Sequence, residues 1–147
     1  MEMSKFMKLR IIIIDDDPAV NLMLKTALTN LGHHVLSFSD PTACPLLKME
    51  SCSCPQEFPC ADVIISDIDM PNMSGIDLFK LQKQRGCKAV FENKALVSGT
   101  IKKEHFDAIK QLGCKFFHKP FKLVDLTRWV EECAKRIPKG RVLAKLG

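Results

Sequence analysis

The isoleucine run Ile11–Ile14 constrains this chain more than any other stretch of it. A strand with one wet face alternates apolar and polar residues. Four branched aliphatics in a row, closing the block Leu9–Ile14, describe a strand covered on both faces. Val63–Ser66 and Ala95–Ser98 are further runs of this kind, Lys115–His118 carries two phenylalanines, and His34–Phe38 is a weaker strand. Between the strands the apolar residues change to helical spacing. Pro18 opens a helix to about Leu31, with Val20, Met23, Leu24, Ala27, Leu28 and Leu31 on one stripe, and Gly32 stands where a helix stops. A short helix is expected from Pro41 to about Met49, and another from Gly75 to about Arg85. Lys102–Leu112 sets Phe106, Ile109 and Leu112 on one face before Gly113. Leu123–Ile137 does the same with Leu123, Leu126, Val130, Cys133 and Ile137, before Pro138. Five strands alternating with five helices predict an α/β fold with a doubly wound parallel sheet.

Composition agrees and excludes several classes. The 147 residues fit one domain, and a chain of this size can bury about two-thirds of its unfolded surface. Hydrophobic residues at 46% and charged residues at 27% are ordinary for a soluble protein. No apolar run approaches the ~18 residues of a membrane helix. Met1–Arg10 lacks the apolar stretch of a secretory signal. Seven cysteines, an odd number with no such signal, favour a reducing cytoplasm over a disulfide framework. The net charge of +5 is modest, and its place in the chain decides what it means.

Doubly wound sheets carry their chemistry beyond the carboxyl ends of the strands. Strand one runs into Asp15, Asp16 and Asp17; strand three ends at Asp67, strand four at Ser98 and strand five at Lys119. Each has a bland explanation alone: Asp17 before Pro18 suits a helix cap, a serine a turn, a lysine solvent. Their coincidence at equivalent strand ends points to a site. Clustered carboxylates repel one another until a cation or a proton intervenes. An all-oxygen set of this kind suits Mg²⁺. A carboxylate beside Mg²⁺ and a lysine is placed to attack a phosphoryl group, because the cations neutralise charge on the transferring oxygens. The Ser98 hydroxyl is a donor to such a group, and Gly99 leaves room for it.

The segments IIIIDDDP (Ile11–Pro18), VIISDIDMPNMSG (Val63–Gly75), ALVSG (Ala95–Gly99) and FFHKPF (Phe116–Phe121) resemble, in this order, the receiver domain of two-component response regulators. The resemblance covers Leu9–Ile137 and implies a single flavodoxin-like receiver domain over 1–147. Its core would span about 9–137, with strand order 2-1-3-4-5 and a basic tail over 138–147. It implies that Asp67 is the phosphoacceptor. Asp15 and Asp16 would be the acidic pair, Asp16 the more direct ligand of Mg²⁺ (or Mn²⁺) and Asp15 acting largely through water. Asp67 and the backbone carbonyl of Asp69 would complete the protein ligands. Ser98 would be the switch hydroxyl, Lys119 the phosphoryl-contacting lysine before a cis Pro120, and Phe116 the switch aromatic. The implied donor is a sensor histidine kinase or phosphotransfer protein, and the implied output is a downstream protein. That output would be controlled through the last two helices and the strand between them, about Ile101 to Ile137. A homodimer formed on phosphorylation is compatible with this. Such a chain is a phosphoacceptor that assists its own phosphorylation and dephosphorylation, not a turnover enzyme.

Several features depart from the pattern or suggest alternatives. Asp16 and Asp67 are 51 positions apart, several more than is common in the family, and the excess falls in a cysteine-rich loop. Cys44, Cys52, Cys54 and Cys60 could form an accessory metal or redox site, although they contain no C-x₂-C pair. Cys87, Cys114 and Cys133 read as small core or boundary residues, and the four histidines as surface or strand-end residues. Asp69 and Thr100 flank the site as candidates for tuning the phosphorylated state. Asp67-Ile68-Asp69 also matches the D-x-D of haloacid dehalogenase phosphatases, although Pro71 and the position on strand three do not. A third alternative is an interaction module independent of phosphorylation. The basic residues Lys139, Arg141 and Lys145 read as a solvated terminus, with no direct DNA binding and no membrane contact. About ten residues after the last helix are too few for an output domain, so a stand-alone receiver or an excised one is expected.

Overall fold

Ile11 and Ile13 enter one hydrophobic core, while Ile12 and Ile14 enter a second on the opposite side of their strand. That division explains the absence of alternation: the period of two is present, but both faces are apolar. A computed structural model of the chain describes residues 7–43, 57–71 and 73–145. Strand β1 (Arg10–Ile14) is joined by β2 (His34–Phe38), β3 (Val63–Asp67), β4 (Lys94–Ser98) and β5 (Lys115–His118) in one sheet of order β2-β1-β3-β4-β5. All neighbours are parallel, with Ile14 level with Ser66, Asp67 with Val97, and Ser98 with His118. The fold class and strand order match expectation.

Helices α1 (Pro18–Asn30) and α4 (Leu123–Lys135) cover one face, burying Leu24, Leu28, Leu126, Trp129, Val130 and Cys133. Helices α2 (Gly75–Gln84) and α3 (Lys103–Leu112) cover the other with Ile76, Leu78, Phe79, Ala108, Ile109 and Leu112. The Asp17 carboxylate caps α1 by accepting from the Ala19 N–H at 2.9 Å, and Pro18 fills the first helical position. Gly113 closes α3 at φ +73°, a left-handed conformation that favours glycine. No helix among the described residues is long and apolar enough to cross a membrane.

Five details differ from the sequence reading. Met23 and Leu31 are 43% and 42% exposed, because α1 lies over β1 and the edge strand β2 and encloses only the ridge Val20–Leu24–Leu28. Phe106 is 55% exposed and packs edge-on against Phe116 instead of entering the core. Four α-helices, not five, lie among the described residues; Pro41–Ala43 is a 3₁₀ turn, and the rest of the expected short helix falls outside them. The tail is not simply solvated. Arg141 grips the buried Asp62 carboxylate with Nη2 at 2.6 Å and Nε at 3.0 Å, while the Ala144 N–H donates to the Pro59 carbonyl at 2.8 Å. The buried His33 likewise has a structural task, its Nδ1 accepting from the Leu9 N–H at 3.1 Å. At the opposite end of the sheet from the predicted site, the fully buried Lys94 ammonium donates to Gln82 Oε1 at 2.6 Å. It also lies 3.7 Å from the Phe91 ring centroid.

Candidate functional site

Parallel strands in register bring their carboxyl ends to one rim, so residues that follow equivalent strands become neighbours. Asp15 and Asp16 follow β1, Asp67 ends β3, Ser98 ends β4 and Lys119 follows β5. Carboxylate oxygens of Asp15, Asp16 and Asp67 lie within 4.8 Å of one another. Among the described residues this is the group of three or more His, Cys, Asp or Glu side chains that converges on one point. Asp15 and Asp67 are buried and Asp16 is exposed. Lys119 Nζ stands 3.1 Å from Asp15 Oδ2 and 3.6 Å from Asp67 Oδ2. The Lys119–Pro120 bond is cis.

Backbone groups fix the carboxylates. Asp67 Oδ1 accepts from the Asp69 N–H at 3.3 Å, and Asp15 Oδ1 from the Asp17 N–H at 2.9 Å. Burial pushes the Asp67 carboxyl up to about 6; the negative charge of Asp15 adds to this and the Lys119 ammonium opposes it. Burial acts to lower the pKa of Lys119, but the hydrogen bond and charge of Asp15, with Asp67, outweigh it and the net shift is upward. The metal-free trio thus carries unbalanced negative charge that one lysine only partly offsets. A hard divalent cation with oxygen ligands, Mg²⁺ or Mn²⁺, fits that donor set.

The buried Ser98 hydroxyl is held by three contacts. Its Oγ lies 3.0 Å from Asp69 Oδ2 and 2.6 Å from the Thr100 carbonyl oxygen, and it accepts from the Thr100 N–H at 3.1 Å. Phe116 is half-buried, with its ring centroid 6.4 Å from that of Phe106 on α3. Of the cysteine cluster, Cys44, Cys52 and Cys54 lie outside the described residues, and Cys60 is half-buried. Cys133 is fully buried, which pushes its thiol up to about 12, in keeping with a packing role.

The sequence reading missed two supports of this site. Asn21 Nδ2 donates to the Asp15 carbonyl at 2.8 Å and the Phe38 carbonyl at 3.0 Å, tying the acidic loop to the end of β2. Gly75 starts α2 directly beneath Asp67, where a Cβ would run into the Asp67 carbonyl oxygen and lie 2.9 Å from Leu96 Cδ2. A glycine opening a helix was the only available signal for the second, and nothing local marks the first.

Residues 11–131 match the family model described as the response regulator receiver domain. The two-component response regulator ARR10 of Arabidopsis thaliana is 29% identical over 119 residues, which is 80% of this chain and 20% of that protein. The chain therefore spans about a fifth of that curated relative's length. Among solved structures, the Vibrio cholerae chemotaxis protein CheY4 aligns with a TM-score of 0.63 at 21% identity, over 86% of this chain and 99% of that one. The receiver domain of the Francisella response regulator 1452 aligns with a TM-score of 0.69 at 22% identity, over 88% and 98%. At these identities the structural likeness concerns the fold.

Proposed function

The chain belongs to the response regulator receiver domain family, and on that premise we propose that it accepts a phosphoryl group on Asp67 in a two-component phosphorelay. The observation that carries this is the convergence of Asp67 with Asp15, Asp16 and Lys119 on one rim of the sheet. Transfer forms a bond between an Asp67 carboxylate oxygen and phosphorus. It breaks the phosphorus–nitrogen bond of a phosphohistidine on a sensor kinase or phosphotransfer protein, whose imidazole leaves with the electron pair. The attacking group must be ionised, and a carboxyl held at about 6 is mostly ionised at neutral pH. The Lys119 ammonium, 3.6 Å from Asp67 Oδ2, offsets charge on the transferring oxygens. When held by Asp15, Asp16, Asp67 and the backbone carbonyl of Asp69, Mg²⁺ or Mn²⁺ supplies further neutralisation there.

Occupancy of Asp67 then draws on the Ser98 hydroxyl. Phe116, half-buried against Phe106, turns inward and alters the surface formed by α3, β5 and α4. That surface controls a downstream protein, with dimerisation as one route, and involves neither DNA nor membrane. The chain is a stoichiometric phosphoacceptor of the cytoplasm. Incubation with acetyl phosphate and Mg²⁺ should add a single phosphoryl group to the wild type and none to Asp67→Asn. Labelling that persists in the variant reassigns the acceptor, and sustained turnover of p-nitrophenyl phosphate would favour a phosphatase.

A further inference from the structure

Asp69 links two parts of the site that have separate tasks. Its backbone N–H donates to Asp67 Oδ1 at 3.3 Å, and its own Oδ2 lies 3.0 Å from Ser98 Oγ. Ser98 is fully buried, so its hydroxyl must find its acceptors within the protein, and it has one proton to give. In the arrangement seen here the acceptors in reach are the Asp69 carboxylate and the Thr100 carbonyl, with the Thr100 N–H donating back. A phosphoryl group on Asp67 brings a competing anion to the same rim. The proton cannot serve both the group and Asp69.

We infer that the Asp69 carboxylate is a positioning residue that latches the Ser98 hydroxyl in the phosphoryl-free arrangement and must release it before Ser98 can bind the phosphoryl oxygens. This rests on the phosphoacceptor function proposed above. The latch opposes retention of the phosphoryl group, so weakening it favours the switched state. Two effects of Asp69 have to be separated. Its charge repels an incoming anion whether or not Ser98 is present, whereas the latch acts only through Ser98.

The test is a double-mutant cycle read by binding of beryllofluoride, a phosphoryl mimic, at saturating Mg²⁺. Asp69 is exposed, so Asp69→Ala opens no cavity in the core and is expected to fold as the wild type does. Asp69→Ala should tighten beryllofluoride binding by about fivefold, the scale of one charge-assisted hydrogen bond at a solvated edge. In a Ser98→Ala background the same change should gain less than about twofold. An equal gain in both backgrounds overturns the latch and leaves only charge. A second measurement needs no anion: the Ser98 Cβ resonance of the metal-free protein should move on Asp69→Ala, and an unmoved resonance overturns the latch. Wild-type protein that takes up no beryllofluoride speaks against the phosphoacceptor function, while the resonance still decides the latch.

Discussion

The carboxylate cluster predicts that removing the charge of Asp67 stabilises the metal-free protein. Asp67 is buried beside Asp15, and its carboxyl lies at about 6 where an unperturbed one is 3.8. That difference is net of the attraction from Lys119, and at roughly 1.4 kcal/mol per tenfold change in proton affinity it corresponds to about 3 kcal/mol. The sign follows from proton binding. Below pH ~4 the carboxyl is protonated in folded and unfolded chains alike, and the group is neutral to stability. Between about 4 and 6 the folded chain keeps a proton that the unfolded chain has released, so stability falls as pH rises through this window. Above it the full penalty stands. Asp67→Asn keeps the shape and removes the charge. Urea denaturation in EDTA at pH 7.5 should therefore show the variant more stable by about 2–3 kcal/mol, with a flatter pH profile between 4 and 6. Saturating Mg²⁺ should narrow the gap by stabilising the wild type more. A variant no more stable than the wild type in EDTA, or a gap that widens with Mg²⁺, would refute the reasoning.

Further predictions concern the frame around the site. Gly75→Ala should cost about 3 kcal/mol in urea denaturation and weaken beryllofluoride binding, because the new Cβ meets the Asp67 backbone. Arg141→Ala should cost about 2 kcal/mol by leaving the buried Asp62 carboxylate without its two-pronged partner, and Arg141→Lys should recover only part. Leu24→Ala should lower the unfolding free energy by about 3 kcal/mol and Met23→Ala by under about 1, although both lie on the apolar stripe read from the sequence.

The sequence by itself determined the layers and which polar groups meet at one rim. Ile11–Ile14 called for a strand enclosed on both faces, the alternation with helical segments for a parallel sheet wound on both sides, and such a sheet presents Asp15, Asp16, Asp67, Ser98 and Lys119 at one rim. These are consequences of local periodicity and strand direction, which neighbouring residues along the chain encode. Tertiary structure alone decided how the rim is wired and which apolar residues reach the core. Asp69 holds Ser98 across 29 positions, and Arg141 grips Asp62 across 79. Met23 and Phe106 keep helical spacing yet stay exposed, because how much of a helix is enclosed depends on what it packs against. A hydrogen bond requires two groups within about 3 Å, and for residues far apart in the chain that separation is set by strand register and helix placement.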